Sequence, residues 1–214
     1  RSYAGGLTGE TSTVNRIGRL NWRVLIYPST VIDYVRVMLL GAGVFCHFKG
    51  DAIGFVVLVT LSSVLDMSDG ALARRLGHDS RFGEVFDFAI DIVTHTILWT
   101  LSGFPFAPVM IALEWGAGVS VLYLSVRQGD HWKNVLVQVP VKLMQYYFAN
   151  RQRNVLATFA GVSHFGFRVG WYLGYGETWP TDIFVPGIIL FEVVTAYMIW
   201  VAWRMRAAKQ DAQT

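Results

Sequence analysis

Long apolar segments, separated by shorter polar connections, occupy most of the chain after residue 28. The six segments are Val31–Phe48, Ala52–Leu65, Val85–Leu101, Pro105–Val126, Val155–Tyr175 and Ile183–Trp203. Several approach the length of about 20 residues that a helix needs to cross the hydrocarbon core of a bilayer. The second is shorter, but a helix that continues through Asp69 and Ala73 would cross the core and extend beyond it. The pattern predicts an all-α, polytopic membrane protein with six transmembrane helices.

Basic residues cluster in alternate connections between these segments. They precede the first segment, separate the second from the third, fill the connection between the fourth and fifth, and follow the sixth. The other connections carry Lys49 beside Asp51, the uncharged SGFP, or the acidic GETWPTD. Because cytoplasmic connections are enriched in Lys and Arg, we expect both termini on the cytoplasmic side of an endoplasmic reticulum or bacterial inner membrane. Basic residues that follow membrane topology also argue against a nucleic-acid partner.

The composition agrees with a membrane protein, because 53% of the residues are hydrophobic and only 15% are charged. Residues 1–27, rich in Gly, Thr and Ser, are expected to form a cytoplasmic N-terminal arm. Residues 28–206 would form the six-helix membrane domain, and residues 207–214 a cytoplasmic tail. The stretch 127–153 is too polar and basic to span a bilayer, which favours a helix or loop at the membrane surface. A solvated loop near the lipid headgroups is the alternative.

Four aspartates are the most unusual feature of these apolar segments. Asp66 and Asp69 are three residues apart, and Asp87 and Asp91 are four apart, so on helices each pair shares a face. Two helices that meet here would bring four carboxylates together, and such charges need cations between them. Oxygen ligands favour Mg²⁺, Mn²⁺ or Ca²⁺ over softer metals, and a pair of divalent ions commonly clamps a diphosphate during substitution at phosphorus. The alternative role, capping of helix ends, does not require this spacing.

The stretch from Asp66 to Asp91 resembles the signature of the CDP-alcohol phosphatidyltransferase family, D-x2-D-G-x2-A-R-x8-G-x3-D-x3-D. Every gap agrees with that pattern. The eight fixed positions are Asp66, Asp69, Gly70, Ala73, Arg74, Gly83, Asp87 and Asp91. The resemblance implies a six-helix membrane enzyme, often a homodimer, in which a CDP-linked lipid binds through its diphosphate to two Mg²⁺ or Mn²⁺ ions. The hydroxyl of a second substrate attacks the β-phosphorus, and CMP leaves.

The resemblance also implies a role for each position of the signature. Asp66, Asp69 and Asp87 correspond to metal ligands, and Asp91 corresponds to the general base and also contacts a metal. The remaining positions correspond to binding of the CDP-lipid: the small Gly70, Ala73 and Gly83 leave room for the nucleotide, and Arg74 holds phosphate oxygens.

Arg36 is a further candidate for binding the CDP-lipid. The segment PSTVIDYVRV resembles the family's Pro-Asn-x-Ile…Arg entry to the first helix. An arginine within a membrane helix is costly when exposed to lipid, which makes a functional role the default expectation. The alternative is a structural pair with Asp33, three residues earlier.

The acceptor alcohol is suggested by the later part of the chain. The segments PVKLMQYYFANRQRNVLATFAGVSHF and SRFGEVFDF resemble regions of phosphatidylinositol synthases, which favours a polyol, myo-inositol first. The candidates for binding it are Arg81, Tyr146, Arg151 and Arg153. Anchoring by the positive-inside rule is the alternative for each. Glycerol 3-phosphate, inositol phosphate or serine would fit the same chemistry.

Several polar residues lie in segments predicted to cross the membrane. Glu114 and Glu192 fit a hydrogen bond between helices or a contact with substrate, and either could pair with Arg168. A core or interfacial role is expected for His164. A carboxylate-lined cation transporter is a competing function, but it predicts acids midway through several spans instead of a group near one end. A silent scaffold is a third hypothesis, although such a protein would not need Asp91.

Overall fold

The computed structural model describes residues 27–76, 81–128 and 141–211. Within those ranges the chain is helical and contains no strand, which confirms the all-α prediction. The helices are α1 (Pro28–Phe48), α2 (Ala52–Leu76), α3 (Arg81–Ser102), α4 (Ala107–Gln128), α5 (Lys142–Gln152), α6 (Val155–Tyr172), α7 (Trp179–Asp182) and α8 (Val185–Asp211). The predicted N-terminal arm, apart from residue 27, and the last three residues of the predicted tail lie outside the described ranges.

Four of these helices are long and apolar enough to cross a membrane, which supports a membrane protein. The qualifying stretches are Thr30–Phe48, Val85–Ser102, Ala107–Leu124 and Val185–Met205. In α2 the apolar run, Ala52–Asp66, is shorter. Each of the six predicted segments overlaps one helix, although α2 and α8 continue 11 and eight residues beyond the predicted ends. Six spans and the side on which the termini lie remain predictions.

A tight hairpin of α1 and α2 forms one side of the bundle. The connection turns at Gly50, whose φ of +78° is readily adopted only by glycine. Gly43 of α1 faces α2 so closely that an added Cβ would lie 3.3 Å from Val59. Phe55 and Val59, both completely buried, fill the hairpin's core. This packing fixes the position of α1, and therefore of Arg36, relative to α2.

The central helix is α3, which packs against α1, α4 and α6, while α8 packs against α4 and α6. Helix α4 approaches α3 closely at Gly118, where an added Cβ would lie 2.4 Å from the ring of Phe88 and 3.2 Å from Ile92. Asp87 and Asp91 directly precede these two residues in the sequence. The absence of a side chain at Gly118 thus allows α4 to pack closely against the part of α3 that carries Asp87 and Asp91.

Helix α5 lies in the stretch 127–153, for which a helix or loop at the membrane surface was predicted, and its position relative to a membrane remains a prediction. It buries Met144, Tyr147 and Phe148 in a cluster that also contacts Phe88 of α3. Asn154 joins it to α6, because its Oδ1 accepts a hydrogen bond from the N–H of Ala157 while its Nδ2 donates to carbonyl groups at the end of α5. This helix therefore lies near the Asp87 end of α3.

Candidate active site

Three aspartates from two helices come together at the α2–α3 end of the bundle. Asp66 lies on α2, and Asp87 and Asp91 lie one turn apart on α3. Carboxylate oxygens of the three residues all lie within 4.8 Å of one another. Their side chains are 35%, 39% and 41% exposed, so a ligand can reach them. The cluster predicted from the spacing is therefore present for these three aspartates.

Arg36 projects from α1 into the centre of this cluster and is 2% exposed. Its Nη2 lies 3.0 Å from Asp66 Oδ1, and its guanidinium also donates hydrogen bonds to Asp87 and Asp91. Its Nη1 lies 3.2 Å from Asp33, which is also buried. Arg36 therefore pairs with Asp33, as one hypothesis predicted, and also faces the carboxylates of the signature, as the other requires.

The donor set suits a small divalent cation. The cluster presents only carboxylate oxygens, which is the chemistry that Mg²⁺ and Mn²⁺ prefer over softer metals. The guanidinium of Arg36 contacts Oδ1 of Asp66, Asp87 and Asp91, so these oxygens already face a positive group. Like charges this close require such compensation. A divalent ion fits the residues present.

The other predicted positions of the signature are placed only through their backbones. Asp69, Gly70, Ala73 and Arg74 lie in the last two turns of α2, and their side chains lie outside the described part of the structure. Gly83 lies in the first turn of α3, one turn before Asp87. The ligand role of Asp69 and the binding role of the other four positions therefore remain proposals.

The predicted acceptor residues fall at two places near this end of the bundle. Arg81 begins α3 and Arg151 lies in α5, and neither side chain is described. Tyr146 is 53% exposed on α5, and Arg153, at the end of α5, is also exposed. Neighbouring Tyr147 is instead buried, which raises the pKa of its hydroxyl to about 12 and keeps it neutral. Helix α5 packs against Phe88, the residue after Asp87, and therefore lies near the carboxylate cluster. The role of the four predicted acceptor residues remains a proposal.

A second polar cluster lies deeper in the bundle, one helical turn beyond Asp91. Glu114 of α4 is its centre: His95 Nδ1 lies 2.6 Å from Oε2, while Trp99 Nε1 and His164 Nε2 lie 2.5 and 2.9 Å from Oε1. Arg168 of α6 contacts His164 Nδ1 at 2.9 Å and donates to the carbonyl of His95 at 3.4 Å. Arg168 is therefore held mainly through His164 and His95.

The sequence did not single out His95 and Trp99. A lone histidine or tryptophan in an apolar segment carries little information, and Glu114 is 19 residues from His95 on another helix. One signal was available, because Asp87, Asp91, His95 and Trp99 follow one another at intervals of four along one face of α3.

Comparison with known proteins supports a family assignment. The sequence model of the family described as CDP-alcohol phosphatidyltransferase matches residues 27–206. Proteins of Mycobacterium bovis and Mycobacterium tuberculosis, each named "Putative cardiolipin synthase", are 36% identical to the chain over 85 residues. This alignment covers 38% of the chain and 40% of each relative, so the chain spans about two fifths of the length of the relatives it matches. No solved structure matches the chain.

Proposed function

Because this chain belongs to the CDP-alcohol phosphatidyltransferase family, we propose that it moves a phosphatidyl group from CDP-diacylglycerol to the hydroxyl of an acceptor alcohol and releases CMP. The observation that carries this proposal is the convergence of Asp66, Asp87 and Asp91 on one another at an accessible end of a membrane-helix bundle. Apolar helices of spanning length agree with a lipid substrate.

The proposed site assigns distinct tasks to the residues of the signature. Asp66, Asp87 and Asp91, with Asp69, would hold two Mg²⁺ or Mn²⁺ ions. Bound there, the ions would supply positive charge that stabilises the transferring phosphoryl group and the leaving CMP. Arg36 provides a fixed positive charge beside the same oxygens and can donate to phosphate oxygens. The family resemblance gives the role of general base to Asp91.

Two classes of acceptor have support. The resemblance of residues 80–88 and 140–165 to phosphatidylinositol synthases favours myo-inositol, with Arg81, Tyr146, Arg151 and Arg153 as its contacts. The names of the mycobacterial relatives favour a product of the cardiolipin type. Cardiolipin contains two phosphatidyl groups joined through glycerol, so its formation by this chemistry needs phosphatidylglycerol as the acceptor. A homodimer, and a site facing the cytoplasm, complete the proposal.

An acceptor panel tests the function directly. We expect the purified chain in mixed vesicles to release CMP from CDP-diacylglycerol when Mn²⁺ and one of myo-inositol, glycerol 3-phosphate, inositol phosphate, serine or phosphatidylglycerol are supplied. Mass spectrometry of the lipid product identifies the acceptor, and EDTA should remove the activity because the carboxylates then lack the ions that bind the diphosphate.

The same vesicles separate the enzyme from the transporter hypothesis. Metal-dependent ion flux without CMP release, under any of the acceptors, would contradict the proposed function. CMP release that is unaffected by EDTA would contradict the role given to the carboxylates.

A further inference from the structure

Asp33 is the buried partner of Arg36 on helix α1. Its side chain is 3% exposed, and its Oδ1 lies 3.2 Å from Nη1 of Arg36. The three aspartates of the cluster that contact the same guanidinium lie on other helices, and their side chains are 35%, 39% and 41% exposed. The described aspartates that are close enough to share a cation do not include Asp33. Its contact with Arg36 is therefore distinct from the contacts that a ligand can reach.

The contacts of Arg36 divide between its two terminal nitrogens. Nη1 donates hydrogen bonds to Asp33 and Asp87. Nη2 donates to Asp91 and lies 3.0 Å from Asp66. Each terminal nitrogen carries two hydrogens, so the four carboxylates match these hydrogens in number. A phosphate oxygen that accepts from a terminal nitrogen must therefore replace or share a contact that an aspartate makes.

The contact with Asp33 is the one that a phosphate replaces least readily. Breaking it would leave a buried carboxylate without its opposite charge, which is costly in a low-dielectric interior. The accessible aspartates differ, because their oxygens also suit divalent cations. Nη1 is thus anchored to the buried Asp33, whereas Nη2 faces Asp66 and Asp91, which the proposed metal ions would engage.

The packing of α1 places this pair against both neighbouring helices. Tyr34, next to Asp33, contacts Phe86 of α3, and their ring centroids are 5.6 Å apart. Ser62 of α2 donates a hydrogen bond to the backbone carbonyl of Arg36 at 3.3 Å. The backbone is therefore held on two sides, but the long side chain of Arg36 has several rotatable bonds whose ordering costs entropy. A carboxylate one turn earlier on the same helix face supplies a fixed point that orients it.

We propose that Asp33 is a positioning residue for the CDP-linked lipid, and this inference rests on the proposed function. Asp33 holds Nη1 of Arg36 so that Nη2 donates to oxygens of the diphosphate. Asp33 itself would touch neither the substrate nor the ions. A guanidinium that is already anchored loses less conformational entropy when it binds phosphate, which raises affinity. Asp33 thus contributes to binding of the CDP-lipid more than to the chemical step at phosphorus.

Asp33→Ala tests the proposal through the binding of CDP, which retains the diphosphate. With the protein in detergent and Mn²⁺ at saturation, calorimetric titration should show CDP bound about 10–100-fold more weakly, as expected for loss of one charge-assisted hydrogen bond. In vesicles the KM for CDP-diacylglycerol should rise by a similar factor, while kcat and the KM for the acceptor change by less than about threefold. A merely structural side chain would lower thermal stability without this selective change.

Two further variants separate the carboxylate from its surroundings. Asp33→Asn keeps the size and an oxygen that accepts from Nη1, so its CDP affinity should lie between those of Asp33→Ala and the native chain. It also provides the comparison if the alanine variant fails to fold. Ser62→Ala is the matched control, because it removes a buried hydrogen bond to the backbone of Arg36 but leaves the guanidinium contacts in place. This control should keep native CDP affinity.

A double-mutant cycle identifies the residue through which Asp33 acts. In the Arg36→Gln background, Asp33→Asn should weaken CDP binding no further, because the positioned group is already gone. An equal loss in both backgrounds, or native CDP affinity in Asp33→Asn, would overturn the positioning role. Failure of the Asp33 variants to reach Mn²⁺ saturation, followed by electron paramagnetic resonance, would also overturn it, since Asp33 would then belong to the metal site. Absence of CMP release from the native chain with every acceptor would instead overturn the proposed function and, with it, this inference.

Discussion

Asp87→Asn is expected to abolish detectable Mn²⁺ binding and to lower CMP release by about 10³-fold or more, as loss of a charge-stabilising group in an active site commonly does. Asp87 shares the oxygen cluster with Asp66 and Asp91, and asparagine replaces one charged ligand with a neutral amide. The positive charge of Arg36 stays while one negative charge is lost, so the cluster attracts a divalent ion less strongly. Electron paramagnetic resonance of free Mn²⁺ and CMP release measure the two effects on the same sample.

The matched control for this prediction is Asp182→Asn. It removes an exposed aspartate from the short helix α7, with the same change in net charge but outside the carboxylate cluster. The control should bind Mn²⁺ and release CMP at native rates. Native Mn²⁺ affinity in Asp87→Asn would contradict the assignment of this cluster as the metal site.

Arg36→Gln is expected to destabilise the metal-free protein by about 3–5 kcal/mol, the usual cost of removing one partner from a buried ion pair. The buried Asp33 and the three clustered aspartates all face this guanidinium. Mn²⁺ can compensate for the lost charge, so saturating Mn²⁺ should raise the melting temperature more in the variant than in the native chain. Thermal unfolding in nanodiscs, with EDTA and with Mn²⁺, measures both quantities.

Arg204→Gln is the control for Arg36→Gln, because Arg204 is exposed on α8 and its guanidinium lies over the ring of Trp200. Its melting temperature should respond to Mn²⁺ as the native chain does. An equal loss of stability for Arg36→Gln in EDTA and in Mn²⁺ would show that the guanidinium does not act as the counterion of the cluster.

The carboxylate cluster could be predicted from the sequence because it depends mainly on the spacing of residues within single segments. The spacing of Asp87 and Asp91 places both on one face of any helix, and the signature links them to Asp66 across one short connection. The helix containing Asp66 was also expected to continue past Asp69, and α2 does so, to Leu76. Periodicity and spacing are properties of one segment, so they can be read without knowing how segments pack.

Contacts between distant segments could not be read in the same way. The pairing of Arg36 with Asp33 follows from their separation of three residues, but its contacts with Asp66 and Asp91 depend on how α1 packs against α2 and α3. Similarly, Glu114 was recognised as an unusual residue, while its partners His95 and His164 come from two other helices. The short helix α7 lies in a connection whose acidic composition indicated only its side of the membrane.

The close approach at Gly118 gives α4 an indirect role in the site, because α4 packs against the part of α3 that carries two of the aspartates. This helix supplies no carboxylate to the cluster, yet its bare backbone supports Phe88 and Ile92, the residues that follow Asp87 and Asp91. Any larger side chain at position 118 would overlap the ring of Phe88 and crowd Ile92, so these side chains or the two helices would have to shift. Position 118 therefore offers engineers a way to alter the packing beside Asp87 and Asp91 without replacing a residue of the signature.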